Sequence, residues 1–356
     1  MPISAIDAIS PAIQHTRQQL LQPFRVGQWA RLALVGLLAG ELTSGSCNFN
    51  FQMPRHTDQF AMPKLPAIDP ATLVALVVLL MVLGTIFYVL FLYVNSVMRF
   101  ILFDSVIAKH CEIGSGWNRR QGAGLRYFVW QLVFLLVTLA GLTILIGIPA
   151  AFAFAAGWLT HPKDHIAALI LCGMGLFFVL LIFVLASVAV HVLTKDFVIP
   201  QMALENLSAF HAWKRLLPML NSEKGPYLGY LAMKLVMTIG VAVIVGIIAT
   251  IVILVLLIPA GGFGAVVVLA GKAAGLHWNL YTITLAVVVA CVLLALIFYA
   301  VSLVSAPAMV FFPAYSIYFF ASRYPALDGL VHPAPPLPPQ LPPEPPPLPP
   351  VPQVTG

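Results

Sequence analysis

The stretch that decides the fold covers residues 195–235 and reads KDFVIPQMALENLSAFHAWKRLLPMLNSEKGPYLGYLAMKL. Its first part is amphipathic and carries Trp213, Lys214 and Arg215, and an apolar run after the polar turn continues to Leu-Ile-Pro-Ala at residues 257–260. A run of this length is long enough to cross a hydrocarbon core of about 30 Å. The stretch therefore predicts a helix at the membrane surface that leads into a membrane-spanning helix.

The composition of the whole chain indicates the same environment. Of its 356 residues 61% are apolar and 8% are charged, whereas a soluble domain carries about 25% charged residues. Short alternating segments, which are typical of a transmembrane barrel, do not occur in the sequence. We therefore expect an all-α, polytopic membrane helix bundle. The net charge of +6 then indicates how the protein is oriented in the membrane and that it attracts anionic lipid, rather than that it binds nucleic acid.

The sequence contains six candidate spans, at residues 24–42, 71–95, 127–154, 166–193, 227–258 and 280–304. The first is the weakest, because it contains Arg25, Arg31 and Glu41. With six crossings and both termini in the cytoplasm, 14 of the 18 Lys and Arg residues lie inside. Without the first crossing the distribution falls to 11 against 7, so the positive-inside rule favours six crossings in a bacterial cytoplasmic membrane.

An internal repeat organises these spans. Asp104-Ser-Val-Ile matches Asp196-Phe-Val-Ile, and a W-x-R motif occurs at Trp29, Trp117 and Trp213. Each copy precedes a pair of spans, which predicts three parallel hairpin units, about 1–95, 96–192 and 193–304, each with a cytoplasmic interfacial helix. Residues 1–325 would form the membrane domain. Residues 326–356 would form a proline-rich tail without fixed structure, since 13 of the residues at 333–352 are proline.

The repeated motif supplies the candidate site. Tryptophan favours the membrane–water interface, and a neighbouring arginine can bind lipid phosphate. The candidate lipid-contacting residues are Trp29, Arg31, Trp117, Arg119, Arg120, Trp213, Lys214 and Arg215. If the three copies are equivalent, their tryptophans lie near one cytoplasmic plane. The alternative interpretation is structural, in which the same helices fix the tilt of the spans that follow them.

Patterns typical of catalysis or metal binding are lacking in the sequence. The four cysteines are more than 60 residues apart, which excludes a C-x-x-C motif. A transporter generally needs ionisable residues near the middle of its spans. The spans after residue 71 carry none there, and His191 and Lys234 lie near cytoplasmic span ends. H-E-x-x-H and G-x-S-x-G motifs are also lacking. We therefore expect no catalytic residue, no cofactor and no metal ion.

The segments DFVIPQMALENLSAFHAWKRLLPML at 196–220 and AIDAISPAIQHTRQQLLQPFRVGQWARLALVGLLAGE at 5–41 resemble an uncharacterised family of bacterial multi-pass membrane proteins. More distantly, the chain is similar to the membrane domain fused to some glycerophosphodiester phosphodiesterases. Those enzymes carry their carboxylate-rich catalytic barrel as a separate domain, which has no counterpart among these residues. The resemblance implies a membrane module and transfers no catalytic residue.

The predicted function is that of an integral inner-membrane protein without catalytic activity, which acts as a scaffold, a lipid-interacting module or a support for a partner. Its expected partners are membrane lipids, anionic lipids among them, and an unidentified protein, but not nucleic acid. One alternative is a permease or channel subunit for a small solute, for which a water-filled cavity across most of the bilayer would be the sign. Another is a lipid-active membrane enzyme, which would require carboxylates and histidines to converge at one interface.

Overall fold

A computed structural model of the protein describes residues 3–41, 69–158, 163–273, 275 and 280–332. Regular structure in these residues is helical, without a strand. The helices are α1 (Ile9–Leu21), α2 (Val26–Leu38), α3 (Pro70–Ala108), α4 (Ile113–Ala155), α5 (Ile166–Leu193), α6 (Ile199–Glu205), α7 (Ala209–Ser222), α8 (Lys224–Ala273), α9 (Leu280–Ala321) and α10 (Pro325–Val331), with a π-helical turn at Thr194–Val198 between α5 and α6. In the described part of the chain, five helices are long and apolar enough to cross a membrane: α3, α4, α5 with its continuation to Glu205, α8 and α9.

The predicted first span is observed as the short helix α2. Its 13 residues give a length of about 20 Å, less than the roughly 30 Å of a hydrocarbon core. Leu32, Ala33 and Val35 of this helix are buried, and the Cα of Gly36 faces Met309 so closely that a Cβ would lie 2.3 Å from the Met309 sulfur. The five long helices do not include α2, so the sixth crossing stays a prediction.

Each long helix is divided into an exposed apolar part and a buried part. In α3 the large apolar side chains at 73–91 are exposed, whereas those at 97–106 are buried and Ile107, which follows them, is half-buried. In α9 the order is the same, with exposed side chains at 281–298 and buried ones from Val301 onward. An apolar surface of this extent is stable in lipid rather than in water. We therefore assign the exposed parts to the membrane interior.

The buried parts meet at one end of the long helices, which we call the core end, comprising residues 3–41, 93–127, 193–234 and 301–332. Aromatic rings dominate its interior, and Phe197 in the π-helical turn is their centre. Its ring centroid lies 5.1–5.9 Å from those of Tyr227, Tyr230, Phe319 and Phe320. Aromatic pairs of this kind contribute about 0.5–1.5 kcal/mol each beyond their buried area.

The N-terminal helix α1 is packed into the core end. His15 Nε2 lies 2.8 Å from the carbonyl oxygen of Val106, and His15 Nδ1 lies 3.2 Å from the Tyr318 hydroxyl. Because a carbonyl oxygen only accepts hydrogen bonds, Nε2 carries the proton and the neutral ring accepts from Tyr318 through Nδ1. Gln19 Nε2 donates to the carbonyl oxygen of Ser105 at 2.8 Å. The start of the chain therefore lies beside the C-terminal end of α3.

The second and third copies of the predicted repeat share one local feature and differ in another. In both, a residue with left-handed backbone, Lys109 (φ 55°) or Asn206 (φ 56°), ends a helix ahead of the tryptophan. In the second copy Trp117 belongs to one continuous helix, α4, whereas in the third copy α7 with Trp213 is separate from α8. The predicted unit boundary at residue 95 falls inside α3.

The predicted start of the tail at residue 326 is too early. Helix α10 covers Pro325–Val331, and Leu327 is fully buried in the hydrophobic core. The Leu327 side chain packs against α6 and α9 and anchors this short helix at the core end, while residues 328–330 are exposed. The prolines at 333–352 lie outside the described residues.

Candidate functional site

The three tryptophans of the W-x-R motif are half-buried and anchored on protein groups. Trp29 Nε1 donates to the carbonyl oxygen of Leu303 at 2.9 Å. Trp213 Nε1 donates to Thr194 Oγ1 at 3.1 Å. The Trp117 ring meets the Tyr93 ring edge-on, with 6.1 Å between centroids. Each tryptophan thus joins its helix to a long apolar helix other than the span that follows the motif, and their common depth in the membrane stays a prediction.

The arginines that follow Trp117 are tied to Asp104. Arg120 donates two hydrogen bonds of 2.7 Å, one to each carboxylate oxygen of Asp104, and a third to the carbonyl oxygen of Ala203. Arg119 Nη2 reaches the same carboxylate at 2.8 Å, but its side chain is 66% exposed, against 19% for Arg120. Arg120 therefore stabilises the core end, while Arg119 keeps most of its surface available.

The remaining cations of the motif are on the surface. Arg31 and Lys214 are exposed, and Arg215 pairs with Glu205 while lying 5.6 Å above the Tyr324 ring. Arg31 and Arg119 both lower the pKa of the Glu112 carboxyl. The Ser115 hydroxyl, His110, Arg119 and Arg31 together hold the pKa of Glu112 below its ordinary value, with the Ser115 hydrogen bond as the largest cause. The electric fields of two of the three W-x-R arginines therefore reach the Glu112 carboxylate.

A buried cluster of charged side chains was not singled out from the sequence. Lys195 forms an ion pair with Glu41, and Lys234 forms an ion pair with Asp196, which also accepts a 2.9 Å hydrogen bond from the Tyr230 hydroxyl. Both lysine side chains are 10% exposed and both carboxylate side chains 3%. Pairing and hydrogen bonding are what make such buried charges tolerable.

Arg99 is the fifth charged member of this cluster. Its Nε donates to the carbonyl oxygen of Ala39 at 3.1 Å, and its Nη1 donates to the Tyr127 hydroxyl at 3.2 Å. The three cations of the cluster thus outnumber the carboxylates of Glu41 and Asp196 by one positive charge. A net charge in a mostly apolar environment favours an anion nearby.

The cluster lies at one end of a cavity of about 440 Å³ between α5 and α8. Arg99, Lys195, Lys234 and His191 contribute the polar part of its lining, together with Thr238 and Gly40. The rest of the lining is aliphatic, from Leu185, Val188, Ala189, Val192, Leu231 and Leu235. A cavity with apolar walls and cations at one end has the chemistry of a site for an anionic amphiphile.

A sequence signal for this cluster exists. Arg99 and Lys234 each stand in an otherwise apolar stretch, VMRFILF and LAMKLVM, and Lys195 stands beside Asp196 between apolar residues in VLTKDFV. Ionisable residues in such surroundings mark functional sites or paired charges. For Lys234, the position near a predicted span end indicated an interface contact. Only the tertiary structure places Glu41, Arg99 and Lys195 together.

The fold and the site define a multi-pass helical membrane protein with a charged cluster where its apolar helices enter a packed core. In the residues that the structure covers, no group of three His, Cys, Asp or Glu side chains is arranged to hold a metal ion. The chain belongs to a family of unknown function (DUF7544), whose family model matches residues 3–330. No curated protein and no solved structure matches it.

Proposed function

We propose that the protein is a non-catalytic, multi-pass protein of the cytoplasmic membrane that interacts with anionic lipid at its core end. The core end serves as the cytoplasmic part, and the exposed apolar parts of the long helices lie in the bilayer. The protein then acts as a lipid-interacting scaffold.

The distribution of charge carries this proposal. The core end contains fourteen Lys and Arg residues and eight Asp and Glu residues, a net charge of +6. Basic residues near span ends face the cytoplasm, where the leaflet bears a negative surface potential. Each Lys or Arg near that surface contributes about 1 kcal/mol to the attraction. The exposed Arg31, Arg119, Lys214 and Arg215 are the residues best placed to supply it.

The count of basic residues in the sequence supports the proposed orientation. Six crossings with both termini on the cytoplasmic side would place 14 of the 18 Lys and Arg residues inside. The start of the chain lies at the core end, because Glu41 pairs with Lys195 and the backbone nitrogen of Ile3 donates to Ser322 Oγ. Five long helices supply five of the proposed crossings.

Lipid retention tests the proposed function. The triple variant R31Q/R119Q/R215Q, purified in mild detergent, should retain less phosphatidylglycerol than the wild type, while retention of phosphatidylethanolamine stays the same. Its unfolding temperature should stay near that of the wild type, because exposed ion pairs contribute little to stability. Equal retention of phosphatidylglycerol by a folded triple variant would contradict the proposal.

The permease and the lipid-active enzyme remain the alternatives. Reconstitution of the wild type into proteoliposomes separates them from the proposed function. Solute flux above that of empty vesicles would favour a permease or channel subunit, and a change in lipid composition with time would favour an enzyme. The proposed scaffold produces neither.

A further inference from the structure

We propose that the cavity between α5 and α8 binds one phospholipid with a singly charged phosphodiester headgroup. The headgroup phosphate lies at Arg99, Lys195 and Lys234, and the upper part of an acyl chain lies along the aliphatic walls. This inference rests on the proposed lipid function and deepens it, because it names the ligand class and a site distinct from the exposed W-x-R arginines.

The first argument is the side from which the cations are reached. Arg99, Lys195 and Lys234 all line the 440 Å³ cavity. Their carboxylate partners are not among its lining residues. Glu41 and Asp196 line a smaller cavity of about 30 Å³, to which Arg99 and Lys195 also contribute. An entering ligand therefore meets ammonium and guanidinium groups, with the carboxylates behind them. Such donors form short, charge-assisted hydrogen bonds with phosphate oxygens.

The second argument is the charge that the site accepts. Three cations and two carboxylates leave one positive charge, with His191 counted as neutral. A phosphodiester carries one negative charge and would balance it. A phosphomonoester carries about −1.5 to −2 at pH 7 and would leave excess negative charge in surroundings where an unpaired charge is costly.

The third argument is the shape and position of the walls. The cavity lies within the range of roughly 300–1,000 Å³ that small-molecule sites occupy. Leu185, Val188 and Leu235 on its walls are all more than half exposed and belong to the exposed apolar parts of α5 and α8. The cavity is thus continuous with the membrane interior at its side. A lipid can enter laterally and keep most of its acyl chains in the bilayer. A free phosphate ion has no apolar part that could pack against the aliphatic walls.

The test uses the full chain in mild detergent, with lipid binding measured by native mass spectrometry. Phosphatidylglycerol, phosphatidic acid, phosphatidylethanolamine and inorganic phosphate are the probes. Val188→Trp fills the cavity, and Val179→Trp is its control, because Val179 lies on the same helix with a similar exposed fraction but outside the lining. Arg99→Gln removes the excess charge and leaves both ion pairs in place.

The proposal expects wild-type protein to bind one phosphatidylglycerol more tightly than either phosphatidic acid or phosphatidylethanolamine. Val188→Trp should abolish this binding and Val179→Trp should preserve it. Arg99→Gln should weaken it by about fivefold or more, in line with the loss of one basic contact. Each variant must first show a wild-type unfolding temperature. If Arg99→Gln fails to fold, Val188→Trp and its control decide alone.

Three results would overturn the proposal. One is unchanged phosphatidylglycerol binding in folded Val188→Trp protein, another is tighter binding of phosphatidic acid, and the third is full competition by inorganic phosphate, which would indicate a site for the free anion. Unchanged binding in Val188→Trp combined with a loss in R31Q/R119Q/R215Q would reject the cavity and leave the proposed function standing. A loss in Val188→Trp without a loss in the triple variant would place the lipid in the cavity and not at the surface arginines.

Discussion

Arg120 binds both carboxylate oxygens of Asp104, with its Nε 2.7 Å from Oδ2 and its Nη2 2.7 Å from Oδ1. Its third nitrogen donates to the carbonyl oxygen of Ala203 at 2.7 Å. One guanidinium thus joins α3, α4 and α6. The planar fork of arginine permits this arrangement, and a lysine would supply only a point charge.

Arg120→Ala should lower the free energy of unfolding by roughly 1.5–3 kcal/mol, because it removes hydrogen bonds between charged groups and strips a mostly buried carboxylate of its main partner. Arg119→Ala is the matched control. The Arg119 side chain is 66% exposed, so its removal should lower the free energy of unfolding by less than about 1 kcal/mol. Both are measured by denaturant titration in the same detergent, and equal losses would contradict the assigned difference.

Gly124→Ala should destabilise the protein, since α3 and α4 approach closely there. A Cβ at this position would lie 2.6 Å from Val97 Cγ2 and 3.0 Å from the Val97 backbone Cα, and the backbone cannot move without separating the helices. Gly122→Ala, with nothing within 4 Å of its Cβ, should instead stabilise α4 by about 0.5–1 kcal/mol. Thermal unfolding compares the two, and a stabilised Gly124→Ala variant would refute the close contact.

His15 should make stability depend on pH. Burial is the main cause that lowers its pKa, and the nearby Lys109 lowers it further, against the hydrogen bond to Val106. The unfolded chain takes up a proton near pH 6.5, whereas folded His15 resists protonation. Its contribution is therefore present above pH 6.5 and lost as the pH falls below that value. When the pH is lowered from 7.5 to 5.0, the unfolding temperature of the wild-type protein should decrease more than that of the His15→Gln variant. Equal decreases would show that His15 is not responsible.

Six crossings predict a definite labelling pattern. Cys47 lies outside the described residues, and the sequence places it on the outer side. Cys111 is buried and unsuited as a cytoplasmic reporter, so the exposed Gln121 is replaced by cysteine in a variant that lacks Cys111, Cys172 and Cys291. A membrane-impermeant maleimide should label Cys47 in intact cells and the new cysteine at 121 only after permeabilisation. The reverse order would be incompatible with the proposed topology.

The sequence was sufficient for the helical class and the long spans, because runs such as residues 71–91 leave no other stable structure in a membrane. It could not separate Arg119 from Arg120, since their burial depends on the rotation of α4 relative to Asp104. Adjacent helical residues point about 100° apart, and a one-residue difference decides which arginine is enclosed.

The charged cluster required tertiary structure for a similar reason. Glu41 and Lys195 are 154 residues apart in the chain, and no local pattern links them. The predicted second span ends at residue 95 and the third begins at residue 127, whereas α3 continues to Ala108 and α4 begins at Ile113. Each helix passes from its apolar part into the core end without a turn that would mark the change in the sequence. The helix α10 was missed since Pro325 resembles the prolines that follow it.

The earliest helices of the chain have their partners in the last long helix. Trp29 Nε1 binds the carbonyl oxygen of Leu303, 274 residues later, and the backbone nitrogen of Ile3 binds Ser322 Oγ. At a synthesis rate of about 5–20 residues per second, α1 and α2 wait on the order of tens of seconds before α9 leaves the ribosome. During that interval the faces of α1 and α2 that pack against α9 are uncovered, although both helices can already contact α3. The protein therefore reaches its final packing only after translation has nearly ended.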